Sequence, residues 1–461
     1  MTDLTAKLRA ILGENGVIEG EAVAEKAHGF FVRLGTPIAV VMPRSTEQVS
    51  QTMKLCHARK QPVVAWGGKT GLVEGARSDG AIALSLERMN NIEEIDAEGS
   101  TMTVQAGCIL HTVCTAADAQ GLFFPLDLGA RGSATIGGNI ATNAGGNRVI
   151  RYGMMRDLVL GLEAVLADGT TVSSMNHLIK NNAGYDPKQI FVGSEGTLGI
   201  ITRAVLRLRP KPASQNTAFV AIDRFSDLPR LLRQVERGLG GTLSAFEVMW
   251  EDFYRLVTTE PALGKPPLPY GHPYYVLVEG LGGEQELDAE RFERVLTSII
   301  EDGGIADAVI AKSQGERDRM WGLRDDVAQV ARNAPIFTFD VSLKISTMES
   351  YVAEVRENLS ARWPKMTLTV FGHLGDGNLH LIAGVGDGSR DARQAVEHIV
   401  YGALRKREGS VSAEHGIGLE KRAYLAWSRS PAEIGLMRNL KHALDPDNIL
   451  NPGKIFEVAT A

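Results

Sequence analysis

Cysteine is nearly absent: Cys56, Cys108 and Cys114 are the only three in 461 residues. An odd, sparse set without metal-like spacing argues against a disulfide framework and a zinc ribbon, and fits inert thiols in a reducing compartment. No basic block or aromatic-interleaved stripe occurs, and the formal net charge is −6, which argues against a nucleic-acid partner. No stretch approaches the roughly 18 apolar residues that span a bilayer. The opening MTDLTAKLRAILGENG has no apolar core of the kind a signal peptide needs. It reads as an amphipathic helix, and a cytoplasmic location is expected. Internal repeats and low-complexity tracts are lacking too.

Glycine, by contrast, is plentiful at 50 residues, and the chain is long enough for two or three domains. Residues 38–66 read as strand, helix, strand. Ile38–Met42 is apolar, Ser45 with Gln48 fits a capping box for a helix reaching about Lys60, and Pro62–Trp66 is a second β-type run. A parallel pair with a helical crossover is the expected product. Ile82–Leu86 and Thr101–Gln105 are further strands, and Asp168–Gly169 marks a hairpin between Val159–Leu166 and Thr171–Ser173. From about 213, apolar strands (Ala218–Ile222, Tyr274–Glu279) alternate with helical segments at 284–301 and 315–333. That pattern predicts an antiparallel sheet carrying helices on one face. The tail from 391 is helical with a break near 408–418. The expected class is α+β, divided into 1–212, 213–405 and 406–461.

The glycines gather in three loops: Trp66–Gly71, Pro125–Asn147 and Gly193–Gly199. Glycine lets backbone amides approach a ligand and tolerates positive φ, so such loops suit a pyrophosphate. A Walker A loop would need glycine at position 63, which is Val63, and no strand is followed by the Rossmann G-x-G-x-x-G spacing. Three such loops at strand ends in one block point to a bulky dinucleotide lying across it.

Ten histidines occur, and most stand alone. His373 and His380 differ, because the β-type runs Thr367–Phe371 and Leu379–Ile382 enclose the turn Gly-Asp-Gly-Asn at 375–378. Folding that hairpin places both imidazoles at its mouth. A third ligand is needed for an open metal site, and Glu414 in Ser412-Ala-Glu-His-Gly-Ile-Gly418 is the best candidate. Two imidazoles and a carboxylate suit zinc, manganese or ferrous iron. His415 would point away from Glu414 in an extended segment, which makes it available as a base. A hydrogen-bonded hairpin without an ion is the competing reading.

At these residues the chain resembles a known family. FPLDLGARGS, IGGNIATNAGG, GSEGTLGIIT, FGHLGDGNLHL, SAEHGIGLEK and DPDNILNPGK look like the FAD-linked dehydrogenases of the vanillyl-alcohol oxidase fold, in the D-2-hydroxyglutarate and D-lactate dehydrogenase branch. The likeness runs from about 38 to 456. It implies an FAD domain of two subdomains, a substrate domain and a helical C-terminal cap returning to the flavin. It also implies that Gly67, Gly68, Lys69, Thr70 and Gly71 wrap the FAD pyrophosphate. Pro125, Asp127, Ser133, Gly137, Gly138, Asn139, Thr142, Asn143 and Gly145 would line the cofactor. Glu195, Gly196 and Ile200 would lie near its adenosine half, and Asn451 would approach the flavin from the tail. The same likeness assigns His373, His380 and Glu414 to the metal, zinc first, Asn378 to the substrate and His415 to proton abstraction. Trp66–Ala76 contains neither His nor Cys, so non-covalent FAD is expected.

The implied activity is oxidation of a D-2-hydroxy acid to its 2-keto acid by hydride transfer to the flavin. Electrons would then pass to an acceptor such as an electron-transferring flavoprotein or a quinone. A homodimer is compatible with the sequence. The hydroxyglutarate-like branch grips the distal carboxylate with an Arg, a hydroxyl residue one turn later and a Lys on the next strand. Here Arg324 supplies the first, but Ala328 stands at the second place and Thr338 or Phe339 at the third, and Lys344 is displaced. A D-lactate-like, monocarboxylic substrate is therefore expected, with D-2-hydroxyglutarate as the alternative. An aromatic alcohol oxidase on the same fold, or a flavin- or metal-binding protein without turnover, are the remote readings.

Overall fold

The crossover foreseen around Ser45 is present in the computed structural model, which describes residues 2–29, 32 and 34–457. Ser45 Oγ accepts from Gln48 N at 3.3 Å, and Gln48 Oε1 accepts from Arg44 N at 2.7 Å, so the two side chains satisfy amides that the helix start leaves open. The helix Thr46–His57 buries Val49, Met53 and Cys56, one stripe at helical spacing. It ends three residues before Lys60, which turns the chain with a φ of 51°.

The strands it joins are not neighbours, contrary to the expected pair. Ile82–Ser85 lies between Ala39–Val41 and Val63–Trp66, parallel to both. All four of its residues are buried, and a strand apolar on both faces gains most from the central position. Val17–Ile18 adds an antiparallel edge. A second sheet is antiparallel, in the order Ile92–Asp96, Thr101–Gln105, Ile200–Arg207, Val159–Val165, Thr171–Ser174. The expected hairpin closes it: Asp168 Oδ1 accepts from Thr170 N at 2.8 Å and Gly169 takes a φ of 83°.

The chain divides into two compact units rather than three. The first comprises Met1–Gly146, Gly153–Lys211 and Glu414–Ala461, and the second comprises Asn147–Tyr152 and Pro212–Ala413. The expected cap at 406–461 is thus not a domain of its own. Its tail joins the first unit through the backbone: Val63 N donates to Ile449 O and Asn451 N to Val63 O, both at 2.8 Å. Ile449 and Leu450 are buried in that unit's core.

The second unit is built on seven antiparallel strands. Their order is Asp307–Ile310, Ser214–Ile222, Tyr274–Gly282, Leu243–Trp250, Thr367–His373, Asn378–Gly384, Ile336–Ser342. Helices cover both faces, not one. Tyr275 and Leu277 share a core with Phe253 and Tyr254 of helix Glu251–Thr258 and Met320 and Leu323 of helix Gln314–Asp325. On the opposite face, the space beside Gly280 is filled by Leu239 and Phe292 of helices Asp227–Leu239 and Gln285–Glu301. Every residue of Tyr274–Gly282 is buried, which requires cover on both sides. The expected helix at 315–333 breaks at Asp326, and Val327–Asn333 continues as a 3₁₀ helix.

Candidate active site

In the first unit, the Gly-rich loops close on one another. A Cβ at Gly67 would stand 2.6 Å from Thr135 Oγ1, and one at Gly68 would stand 2.0 Å from Ser133 O, so only glycine permits this approach. The second loop is partly helical: Ile136–Ala141 forms a short helix, and Gly137 N donates to Ala106 O at 2.7 Å. Thr142 Oγ1 donates to Gly138 O, and Asn143, at a φ of 49°, accepts from Arg156 N at 2.9 Å. The third loop joins them through Gly193 N to Ile140 O and Glu195 N to Ala141 O. From the tail, Asn451 Nδ2 donates to Gly75 O at 3.0 Å and Glu195 O at 2.7 Å.

The arrangement fits a polar dinucleotide. Thr135 Oγ1, Asn139 Nδ2 and Asn451 Oδ1 are buried without a hydrogen-bond partner, and buried polar atoms are rarely left so. Lys69, at a φ of 57°, lies over the Trp66 ring, and burial, with the neighbouring Lys26 charge, lowers its pKa. Pro125 and Gly145 are buried while Asp127 pairs with Arg131 at 2.5 Å. Gly71 and Ser133 are exposed, and Thr70 and Gly196 half-buried. The Ile200 side chain belongs to the hydrophobic core, so only its backbone can face a ligand. Glu195 turns its carboxylate inward onto the amides of Ile417 and Gly418. Burial pushes its pKa above the usual carboxylate range, against those amides and Lys421.

In the second unit, the hairpin at 367–384 brings His373 and His380 together with ring centroids 5.5 Å apart. His380 pairs with Phe371 across the hairpin, so His373, two residues on, shares its face. Behind His373 stands Glu247, which sequence reasoning missed. Its Oε1 is 2.7 Å from His373 Nδ1, and its Oε2 accepts from Arg324 Nε at 2.7 Å. Burial alone would raise Glu247, but the His373 and Arg324 charges and hydrogen bonds hold it well below the usual carboxylate range. Glu247 thus fixes the orientation of the ring through Nδ1, and the other ring nitrogen, Nε2, lies 3.3 Å from Arg324 Nη2.

Asp340, also missed, pairs with His380 in register, its Oδ1 3.8 Å from Nδ1. Burial pushes Asp376 in the turn up to about 6. Asn378 is buried, and neither amide atom has a partner, as a ligand-facing amide would require. Residues 410–413 run on from the edge strand: Ser342 and Ser410 exchange two backbone bonds, and Ala413 N donates to Asp340 Oδ2 at 3.1 Å. Glu414 and His415 follow directly. Thr338 is exposed on the same edge strand, opposite Ile382. Lys344 is not among these groups. It is an exposed cation at the start of helix Ile345–Arg362, paired with Glu408 at 3.5 Å.

Glycine loops locked around orphaned polar atoms, joined in one chain to a paired-histidine hairpin on an antiparallel sheet, define a flavin-dependent oxidoreductase. Residues 37–174 match the model of an FAD binding domain, and residues 211–455 match that of the C-terminal domain of FAD linked oxidases. The D-2-hydroxyglutarate dehydrogenase of Xanthomonas citri pv. viticola is 40% identical over 431 residues, covering 92% of this chain and 90% of that protein. The mitochondrial D-2-hydroxyglutarate dehydrogenase of Bos taurus is 39% identical over 425 residues, covering 92% and 77%. Among solved structures, p-cresol methylhydroxylase superposes with a TM-score of 0.80 over 100% of this chain and 98% of that one, at 18% identity, a likeness of fold alone. The chain belongs to the FAD-linked oxidase family, in the branch of these dehydrogenases. No helix among the described residues is long and apolar enough to cross a membrane.

Proposed function

We propose that the protein oxidises a D-2-hydroxy acid to the 2-keto acid with non-covalent FAD and a divalent metal, zinc first, held by His373, His380 and Glu414. The observation that carries this reading is the His373–Glu247 bond of 2.7 Å, which orients an imidazole as a metal ligand is oriented. His380 has Asp340 as its cross-strand neighbour, and Ala413, whose amide donates to Asp340, immediately precedes Glu414. His373, His380 and Glu414 can each offer one ligand atom of the type a divalent ion takes.

When bound, FAD supplies the hydride acceptor and the metal supplies Lewis acidity toward the substrate's carboxylate and 2-hydroxyl. The chain does the rest. Asn378 orients the substrate with its otherwise unpartnered amide. His415 takes the hydroxyl proton as general base while hydride leaves C2. Glu247 holds His373 still.

A monocarboxylic acid fits the remaining residues best. Arg324 is buried with its charge balanced by Glu247, Ala328 and Thr338 bring no charge, and Lys344 is taken by Glu408 at the surface. Hydroxyglutarate is the second reading, favoured by the relatives at 39–40% identity. The test is anaerobic flavin reduction by D-2-hydroxy acids before and after chelation. Bleaching that stops on metal removal and returns with zinc, manganese or iron supports the proposal. Failure of every D-2-hydroxy acid overturns the activity, and full-rate reduction by metal-free protein overturns the metal.

A further inference from the structure

Glu414 and His415 sit in an irregular stretch, with no helix or strand between Arg405 and Arg422 apart from the bridge at Ser410. Such a stretch holds a side chain in place only if its backbone is tied down, because a misplacement of about 1 Å costs roughly a hundredfold in rate. The ties lie just after His415. Ile417 N donates to Glu195 Oε1 at 2.7 Å, and Gly418 N donates to Glu195 Oε2 at 2.8 Å. Leu419 N donates to Val73 O at 3.0 Å, beyond the first Gly-rich loop.

The fit leaves no slack. Gly416 has a φ of +82°, and a Cβ there would stand 2.8 Å from Glu195 Oε1. A Cβ on Gly418 would stand 1.9 Å from Val73 O. Glu195 is itself pinned, through its amide to Ala141 O at 2.8 Å and its carbonyl to Asn451 Nδ2 at 2.7 Å. Both carboxylate oxygens are therefore occupied by the protein's own amides, through charge-assisted bonds. Glu195 reaches this geometry from a left-handed backbone, at a φ of 51°.

We propose that Glu195 is a positioning residue, a latch that fixes the 416–418 turn to the flavin-binding unit and so aims Glu414 and His415. The proposal rests on the roles given to those two residues above. It differs from a place beside the adenosine half of FAD, because a carboxylate engaged by two amides does not serve the cofactor.

The test uses the FAD-loaded full chain with Glu195→Gln, which turns one acceptor into a donor facing an N–H. Gly416→Ala attacks the latch from the other side and leaves the carboxylate in place. Three quantities are read: FAD stoichiometry, hydrogen exchange at the Ile417 and Gly418 amides, and kcat against KM with a D-2-hydroxy acid. Both variants are expected to keep their FAD and to exchange those two amides at least about tenfold faster. They should lose about ten- to a hundredfold in kcat, the range typical when an orienting carboxylate is lost, with KM little changed. Exchange at the parental rate in both variants overturns the latch. So does loss of FAD in step with activity, which would return Glu195 to the cofactor. If the parent oxidises no D-2-hydroxy acid, the functional reading fails, while exchange and FAD content still decide whether the latch exists.

Discussion

Glu247 Oε1 and His373 Nδ1 lie 2.7 Å apart, partners in register on neighbouring strands, with Arg324 on the other carboxylate oxygen. Both acidic and basic members of this group are about as buried as side chains become, at 1% exposure for Glu247 and 6% for Arg324 and His373. Removing the shared carboxylate leaves a buried cation unpaired. Glu247→Ala is expected to lose about 3–5 kcal/mol of stability, and Glu247→Gln to weaken metal binding about 10–100-fold. Denaturant unfolding and metal titration measure the two, and parental values for both would contradict this account.

Non-covalent FAD makes a simple prediction. Trp66–Ala76 offers no histidine or cysteine for a tether. Acid precipitation should release the yellow colour into the supernatant, and colour retained by the pellet would show a covalent bond.

His415→Ala should slow flavin reduction by about 10²–10⁴-fold, the range of lost acid–base catalysis. Its metal content should match the parent's. A variant that loses metal instead would identify His415 as a ligand.

The charge balance around Arg324 bears on substrate choice. A second carboxylate buried without a cationic partner costs several kcal/mol. D-lactate or another monocarboxylic acid should be handled at least as well as D-2-hydroxyglutarate, and L-enantiomers should fail. The measurement is kcat/KM across D-lactate, D-2-hydroxybutyrate, D-malate and D-2-hydroxyglutarate. A preference for hydroxyglutarate above about tenfold, or roughly 1.4 kcal/mol, would show that Arg324 takes the distal carboxylate despite Glu247.

Burial pushes the Cys56 thiol up to about 12 and the Cys108 thiol to about 11, from an ordinary 9.0. A thiol reagent at pH 8 should therefore find at most the half-buried Cys114 in the native protein, and all three after denaturation. Because both pKa values are raised on folding, this contribution to stability is complete below about pH 9 and is lost as pH rises through 11 and 12. Unfolding followed by denaturant from pH 8 to 11 should show stability falling; a rise would reverse the sign.

Legibility in the sequence followed the range of the interaction. The Ser45 cap, the Asp168–Gly169 turn and the hairpin joining His373 to His380 are each complete within a few residues, and each was readable. The central place of Ile82–Ser85 was not, because alternation and turn signals state that a strand exists and not which strands flank it. Glu247 and Asp340 left a faint signal, a lone carboxylate inside the apolar runs LSAFEVMW and IFTFDVS. A charge there must be buried, yet its partners are remote: Arg324 is 77 positions from Glu247 and His373 is 126.

The amino-acid order by itself determined the local geometry: glycine where backbone meets backbone, two imidazoles at one hairpin mouth, and a Glu-His pair in a chain too irregular to be a helix. Tertiary structure alone decided which charges meet. It gave Arg324 to Glu247, sent Lys344 to Glu408 at the surface, and turned Glu195 onto the 416–418 amides. The reason is that turns and caps close over a few bonds, whereas buried ion pairs and backbone latches form only after packing has set distant segments side by side.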